Sequence, residues 1–119
     1  VRPQGFSKRE RIRGSDEFTR ILREGKRLRG RFLDVRWFER DEASTDPNRV
    51  GVAVGRRIGN AVLRNRLKRR IREAYRRCKG ELPCRGIEMI VLATPQSIHR
   101  GAAEYEAEMR RLLQEIAGS

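Results

Sequence analysis

The stretch that decides the fold is Arg49-Val-Gly-Val-Ala-Val-Gly-Arg-Arg-Ile-Gly-Asn-Ala-Val-Leu-Arg-Asn-Arg-Leu-Lys-Arg-Arg-Ile-Arg-Glu-Ala-Tyr-Arg76. Its first six residues, apolar after Arg49, are expected to form a strand apolar enough to be central. Gly59 and Asn60 then break the run, and Asn60 has the side chain of a helix N-cap. From there Leu63, Leu67, Ile71, Ala74, Tyr75 and Cys78 recur at helical spacing and fall within about 120° of arc at 100° per residue, a core-facing stripe. Gly80 and Pro83 stop the helix.

Nine basic residues to one acid, Glu73, lie between Asn60 and Lys79. A solvated helix face ordinarily interleaves signs, because opposite charges four apart contribute roughly 0.2–0.5 kcal/mol. Here like charges face each other at 64/68, 66/70, 68/72 and 72/76, at a similar cost. Such a helix is shaped to present charge to a polyanion. On the wheel Arg64, Lys68 and Arg72 run down one flank, and Arg66, Arg70 and Arg77 down the other. Asn65, Arg69 and Arg76 point away from the core between them. Asn65, a neutral donor and acceptor among cations, suits a base edge, a ribose hydroxyl or a metal-bound water.

Upstream, Val1 to Gly14 reads as a basic, irregular arm with Pro3 and Gly5. Ser15 is the expected N-cap of a short helix with Asp16 and Glu17 in its first turn, Phe18, Ile21 and Leu22 on one face, and Gly25 at its end. Arg31 to Phe38 alternates as a strand, with Leu33, Val35 and Trp37 on one side and Phe32, Asp34, Arg36 and Phe38 on the other. Glu39 to Asn48 is an acidic, turn-rich loop. Ile87 to Ala93 is a buried strand, and Ala102 to Ala117 a closing helix.

At 119 residues the chain makes one domain, and its net charge of +13 points to nucleic acid. Only four of its 29 basic residues are lysine, and arginine's planar fork suits phosphates and bases better than a membrane surface. No apolar run is long enough to cross a membrane and no cleavable leader is visible, so a cytoplasmic protein with no membrane partner is expected. Cys78 and Cys84 match no zinc spacing, His99 is the lone histidine, and reduced structural thiols are expected. A protein nuclease would want converging carboxylates or a histidine-based acid/base pair. The acids cluster instead in the 39–46 loop, the first helix and the last, and Asp34 reads as a surface residue.

The block from Arg49 to Arg77, with its Arg-Asn-Arg followed by one residue and Lys-Arg, resembles the protein subunit of bacterial ribonuclease P. The segment Asp16 to Gly25, the strand at Ile87 to Ala93 and the final helix fit the same pattern, so the resemblance spans nearly the whole chain. It implies an α/β fold: a single compact domain (1–119, with 1–14 as the arm) holding a mixed β-sheet and three helices in the order αβββαβα. The resemblance also implies a left-handed βαβ crossover, against the usual rule. The function it implies is 5′ maturation of precursor tRNA, with catalysis carried by a large RNA. The protein would bind that RNA and the single-stranded 5′ leader, and alone would cleave nothing. Mg²⁺ would be held mainly by the RNA, with none held by the protein alone.

Residue by residue, the resemblance assigns RNA binding to Arg64, Asn65, Arg66, Lys68, Arg69 and Arg72, with Arg56 and Arg57 in the turn beside them. It assigns the leader cleft to Phe18, where a base can stack. Leu22 stands where relatives often carry a second aromatic, leaving only apolar contact there. The strand position of the cleft falls on Val35 or Arg36, depending on where a one-residue gap lies, and Arg36 ranks first because its guanidinium can stack. Composition alone also permits a small ribosomal-type RNA-binding protein or an RNA chaperone. A DNA-binding regulator is disfavoured, since a helix opening on Gly59, Asn60 and Ala61 is a poor reading head.

Overall fold

The computed structural model describes residues 10–12, 14–40 and 46–119. Its elements run α1 (Ser15–Glu24), β1 (Lys26–Arg29), β2 (Leu33–Glu39), β3 (Arg49–Ala53), α2 (Ala61–Cys78), β4 (Ile87–Ala93) and α3 (Ala102–Ala117), the expected αβββαβα order. The strands form one mixed sheet in the order β1-β2-β4-β3: β2 is antiparallel to β1 and β4, and β3 is parallel to β4. A parallel pair needs a long crossover, and α2 supplies it.

The alternation in β2 divides the molecule into two layers. Leu33, Val35 and Trp37, with Ile87, Met89 and Val91 of β4, join the main core beneath α2 and α3. The other face carries a smaller cluster of Ile12, Ile21 and Ile90, with Phe18, Phe38, Ala53 and Leu92 against it, beneath α1. Burial explains why α2 tolerates its charge. Leu67, Ile71 and Tyr75 are buried, at about 1.5–3 kcal/mol for each large apolar side chain. The like-charge pairs together cost only about 1–2 kcal/mol.

Asn60 caps α2 as expected, its side-chain oxygen accepting from the Leu63 N–H at 2.9 Å. Ser15 does not cap α1. It is the first helical residue, and Gly14 precedes it at φ 89°, a left-handed conformation that glycine adopts without strain. The reading of the sequence places no strand at Lys26–Arg29. Those residues carry no apolar alternation and form a strand through pairing with β2. In the arm, residues 1–9 and 13 lie outside the described residues. Ile12 is buried and donates its N–H to the Val50 carbonyl, so this part of the arm docks along the edge of β3. In the expected acidic loop, residues 41–45 lie outside the described residues, while Asn48 is buried. Its side chain donates to the Leu82 and Pro83 carbonyls and accepts from the Arg85 and Ile87 N–H groups. Both cysteines are free, but only Cys78 is a buried core thiol; Cys84 is exposed. No helix among the described residues is long and apolar enough to cross a membrane.

Candidate nucleic-acid interface

Two surfaces adjoin. The first is the outer side of α2. Asn65, Arg66, Arg69 and Arg72 are exposed, and Arg64 and Lys68 are half-buried beside the apolar stripe. Among the described residues none of Arg64, Arg66, Lys68, Arg69 and Arg72 forms an ion pair, and the buried Nε of Arg64 has no acceptor. The last turns of the helix differ. Glu73 accepts from Arg76 at 2.5 Å and from Arg77 at 3.2 Å, and Lys79 pairs with Glu10 at 2.8 Å. The bonds from Arg76 and Arg77 hold the Glu73 carboxyl down at about 2. Arg70 donates to the Arg100 carbonyl and lies toward the Tyr105 ring, which ties α2 to the entry of α3. Among the described residues the unpaired charge of α2 therefore lies between Arg64 and Arg72. Arg56 and Arg57, exposed in the short 3₁₀ turn Arg56–Ile58, extend it past the N-terminus.

The second surface is the sheet face under α1. An ionic network fixes α1 there by one side. Glu88, buried on β4, accepts from Arg20 of α1 at 3.0 Å and from Arg49 of β3 at 2.9 Å, and Arg49 also reaches Glu17 at 2.7 Å. Arg20 also lies 5.0 Å from the centre of the Phe38 ring. One rung along the sheet, Phe18 stands over Gly51, and Gly51, Ile90, Arg36 and Arg27 follow one another across the four strands. Leu22, one turn on from Phe18, is 38% exposed. The next rung, Ala53, Leu92, Asp34 and Arg29, is partly or fully open to solvent. Sheet register puts the two alternatives for the strand residue on opposite faces. Val35 is 1% exposed and points into the main core, whereas Arg36 lies on the α1 face. Phe32 and Trp37 are likewise in the main core, and Phe38 is under Arg20.

The two surfaces meet at Arg72. It lines a hollow of about 200 Å³ with Phe18, Gly51, Arg11 and Ile12, and also a basic concavity of about 330 Å³ with Asn65, Arg69 and Arg11. An aromatic ring, a half-buried guanidinium on an open sheet face and a helix of arginines without ion-pair partners among the described residues can together hold a single strand. Three arginines on these surfaces were not singled out by reading the sequence. Arg27 and Arg29 come from the strand that local pattern did not reveal, and Arg11 comes from the arm; only the excess of arginine pointed to them. Among the described residues no group of three or more His, Cys, Asp or Glu gathers to hold a metal ion.

Residues 6–117 match the family model described as Ribonuclease P. The chain is 38% identical over 102 residues to the ribonuclease P protein component of Thermus oshimai, a match that covers 86% of this chain and 61% of that one. To the component of Thermotoga maritima it is 38% identical over 89 residues, 75% of this chain and 73% of the relative. The solved ribonuclease P protein of Thermotoga maritima superposes with a TM-score of 0.77 at 31% identity, covering 90% of this chain and 97% of that one. That of Staphylococcus aureus gives 0.76 at 28% identity, over 90% and 94%. The chain spans 57–61% of the length of the Thermus relatives it matches.

Proposed function

The chain belongs to the ribonuclease P protein family, and from that premise we propose that it is the protein subunit of a ribonucleoprotein that matures the 5′ ends of precursor tRNA. Its partners in this reading are a catalytic RNA, gripped by Arg56, Arg57 and the open face of α2, and the precursor's single-stranded leader, held between α1 and the sheet. The observation that carries it is the junction at Arg72, where an unpaired arginine surface runs into a groove walled by Phe18. A protein that only coated folded RNA would need the first surface and not the second, which separates this reading from that of a general RNA chaperone.

In the proposed mechanism this chain's residues bind and orient. Arg64, Arg66, Lys68, Arg69 and Arg72 neutralise phosphates and release counterions. Phe18 stacks a leader base, Leu22 packs apolar surface beside it, and Arg36 holds a phosphate or stacks on a neighbouring base. The described carboxylates do not converge into a cage for Mg²⁺, and Glu88 and Glu108 are engaged by arginine side chains and backbone N–H groups. In this reading the metal and the hydrolysis belong to the RNA.

The test is to mix the purified chain with labelled precursor tRNA, with and without the catalytic RNA, at low Mg²⁺. Cleavage at the mature 5′ end only when both are present supports the reading. Cleavage by the chain alone overturns it.

A further inference from the structure

Two carboxylates lie on the α1 face of the sheet, and their surroundings are opposite. Glu88 is saturated by Arg20, Arg49 and Arg40. Among the described residues Asp34 forms no ion pair, although Arg29 is its register partner on β1 and Arg36 follows two residues along the same face. It is half-buried in the open rung, beside Leu92 and between those two arginines. Arg27 and Arg36 face each other directly on the next rung, a like-charge cross-strand pair that is unfavourable without an anion.

A carboxylate at this point weakens the cleft's attraction for phosphate, so its gain must come from discrimination and not from affinity. An ionised Asp only accepts hydrogen bonds, through two oxygens side by side. Among the bases, guanine alone presents two adjacent N–H donors, N1–H and N2–H, on its Watson–Crick edge. Adenine and cytosine set one amine beside a ring nitrogen whose lone pair repels the carboxylate. Uracil sets one N–H between two carbonyls.

We propose that Asp34 selects guanine at one position of the bound leader, through a paired hydrogen bond from N1–H and N2–H. Arg27, Arg29 and Arg36 hold the flanking phosphates. This rests on the leader-binding function proposed above. Phe18 stacks any base; Asp34 is the specificity-determining group of the cleft.

The experiment reconstitutes the full chain with the catalytic RNA and offers precursor tRNAs with randomised leaders, sequencing the bound and unbound fractions. The wild-type complex enriches guanine about tenfold at one leader position. Asp34→Ala erases that enrichment while binding of other leaders holds or improves. Asp34→Asn, whose amide presents one donor and one acceptor, can pair with the donor–acceptor edge of any base and so removes guanine's advantage. The Asp34 carboxylate forms no ion pair among the described residues, so both variants should melt with the wild type. A wild-type profile without guanine enrichment, or one that Asp34→Ala leaves unchanged, overturns the assignment. Equal affinity of the wild-type complex for precursor and mature tRNA overturns the leader-binding function itself, a distinct result.

Discussion

Phe18 and Gly51 are in direct apposition: a Cβ on Gly51 would lie 2.6 Å from the Phe18 Cζ and 3.0 Å from its Cε2. The glycine is there for close approach, and it sets the height of the ring above β3. Gly51→Ala forces the ring to tilt, at about 1–3 kcal/mol for overpacking. We expect a lower melting temperature together with weaker binding of precursor tRNA relative to mature tRNA. Unchanged leader binding in a destabilised variant would show that the ring's height is irrelevant to the groove.

Phe18→Ala removes the stacking platform. Its effect should appear as a loss of about 1–3 kcal/mol in affinity for precursors with long leaders. Mature tRNA, which has no leader, should be bound as before. Equal losses for both substrates would reject the stacking role and leave Phe18 as core packing alone.

Arg66 and Arg69 are exposed and form no ion pair among the described residues, so alanine at either should leave thermal unfolding unchanged while weakening assembly with the catalytic RNA. The logarithmic salt slope should become shallower by about 1 for each phosphate that is no longer neutralised. For the wild type, affinity should drop about 10³-fold or more between about 50 and 200 mM salt if six phosphates are engaged. Arg76→Ala, whose partner is Glu73, is the internal control and should change assembly less.

Glu108 of α3 is buried and accepts from the Phe32 and Leu33 N–H groups at 2.9 and 3.2 Å and from Arg111 at 2.8 Å, fastening the β1–β2 turn to the last helix. Burial pushes its carboxyl up, but the Arg111 guanidinium and the two N–H groups outweigh burial and leave it below 4.5. A carboxyl lower in the folded than in the unfolded chain stabilises above its unfolded value, and that contribution is lost as pH falls through the folded value. Urea denaturation should therefore show stability declining below about pH 4.5, with a shallower decline in Glu108→Gln. At neutral pH that variant should cost about 1–3 kcal/mol, because its amide receives the two buried N–H donors poorly.

Three features of this protein were already determined by local pattern. The apolar stripe and Asn60 cap define α2, the period-two alternation of Leu33, Val35 and Trp37 defines β2, and a run apolar at every position but Glu88 defines β4. Each is readable because helical and strand periods are properties of neighbouring residues. The excess of arginine on α2 is equally local, and so is its meaning as a surface for a polyanion.

Tertiary structure alone decided which cations remain free and which side chains meet. Arg20 reaches Glu88 across 68 residues, and the Phe32 N–H reaches Glu108 across 76. Strand Lys26–Arg29 exists by virtue of its partner, and Arg36 faces α1 while Val35 faces the main core because of the sheet's register. Glu73 and Glu10 neutralise the end of α2 but not its beginning. Such outcomes depend on sheet register and on the meeting of distant segments, and one residue's shift in register would turn every strand side chain to the opposite face.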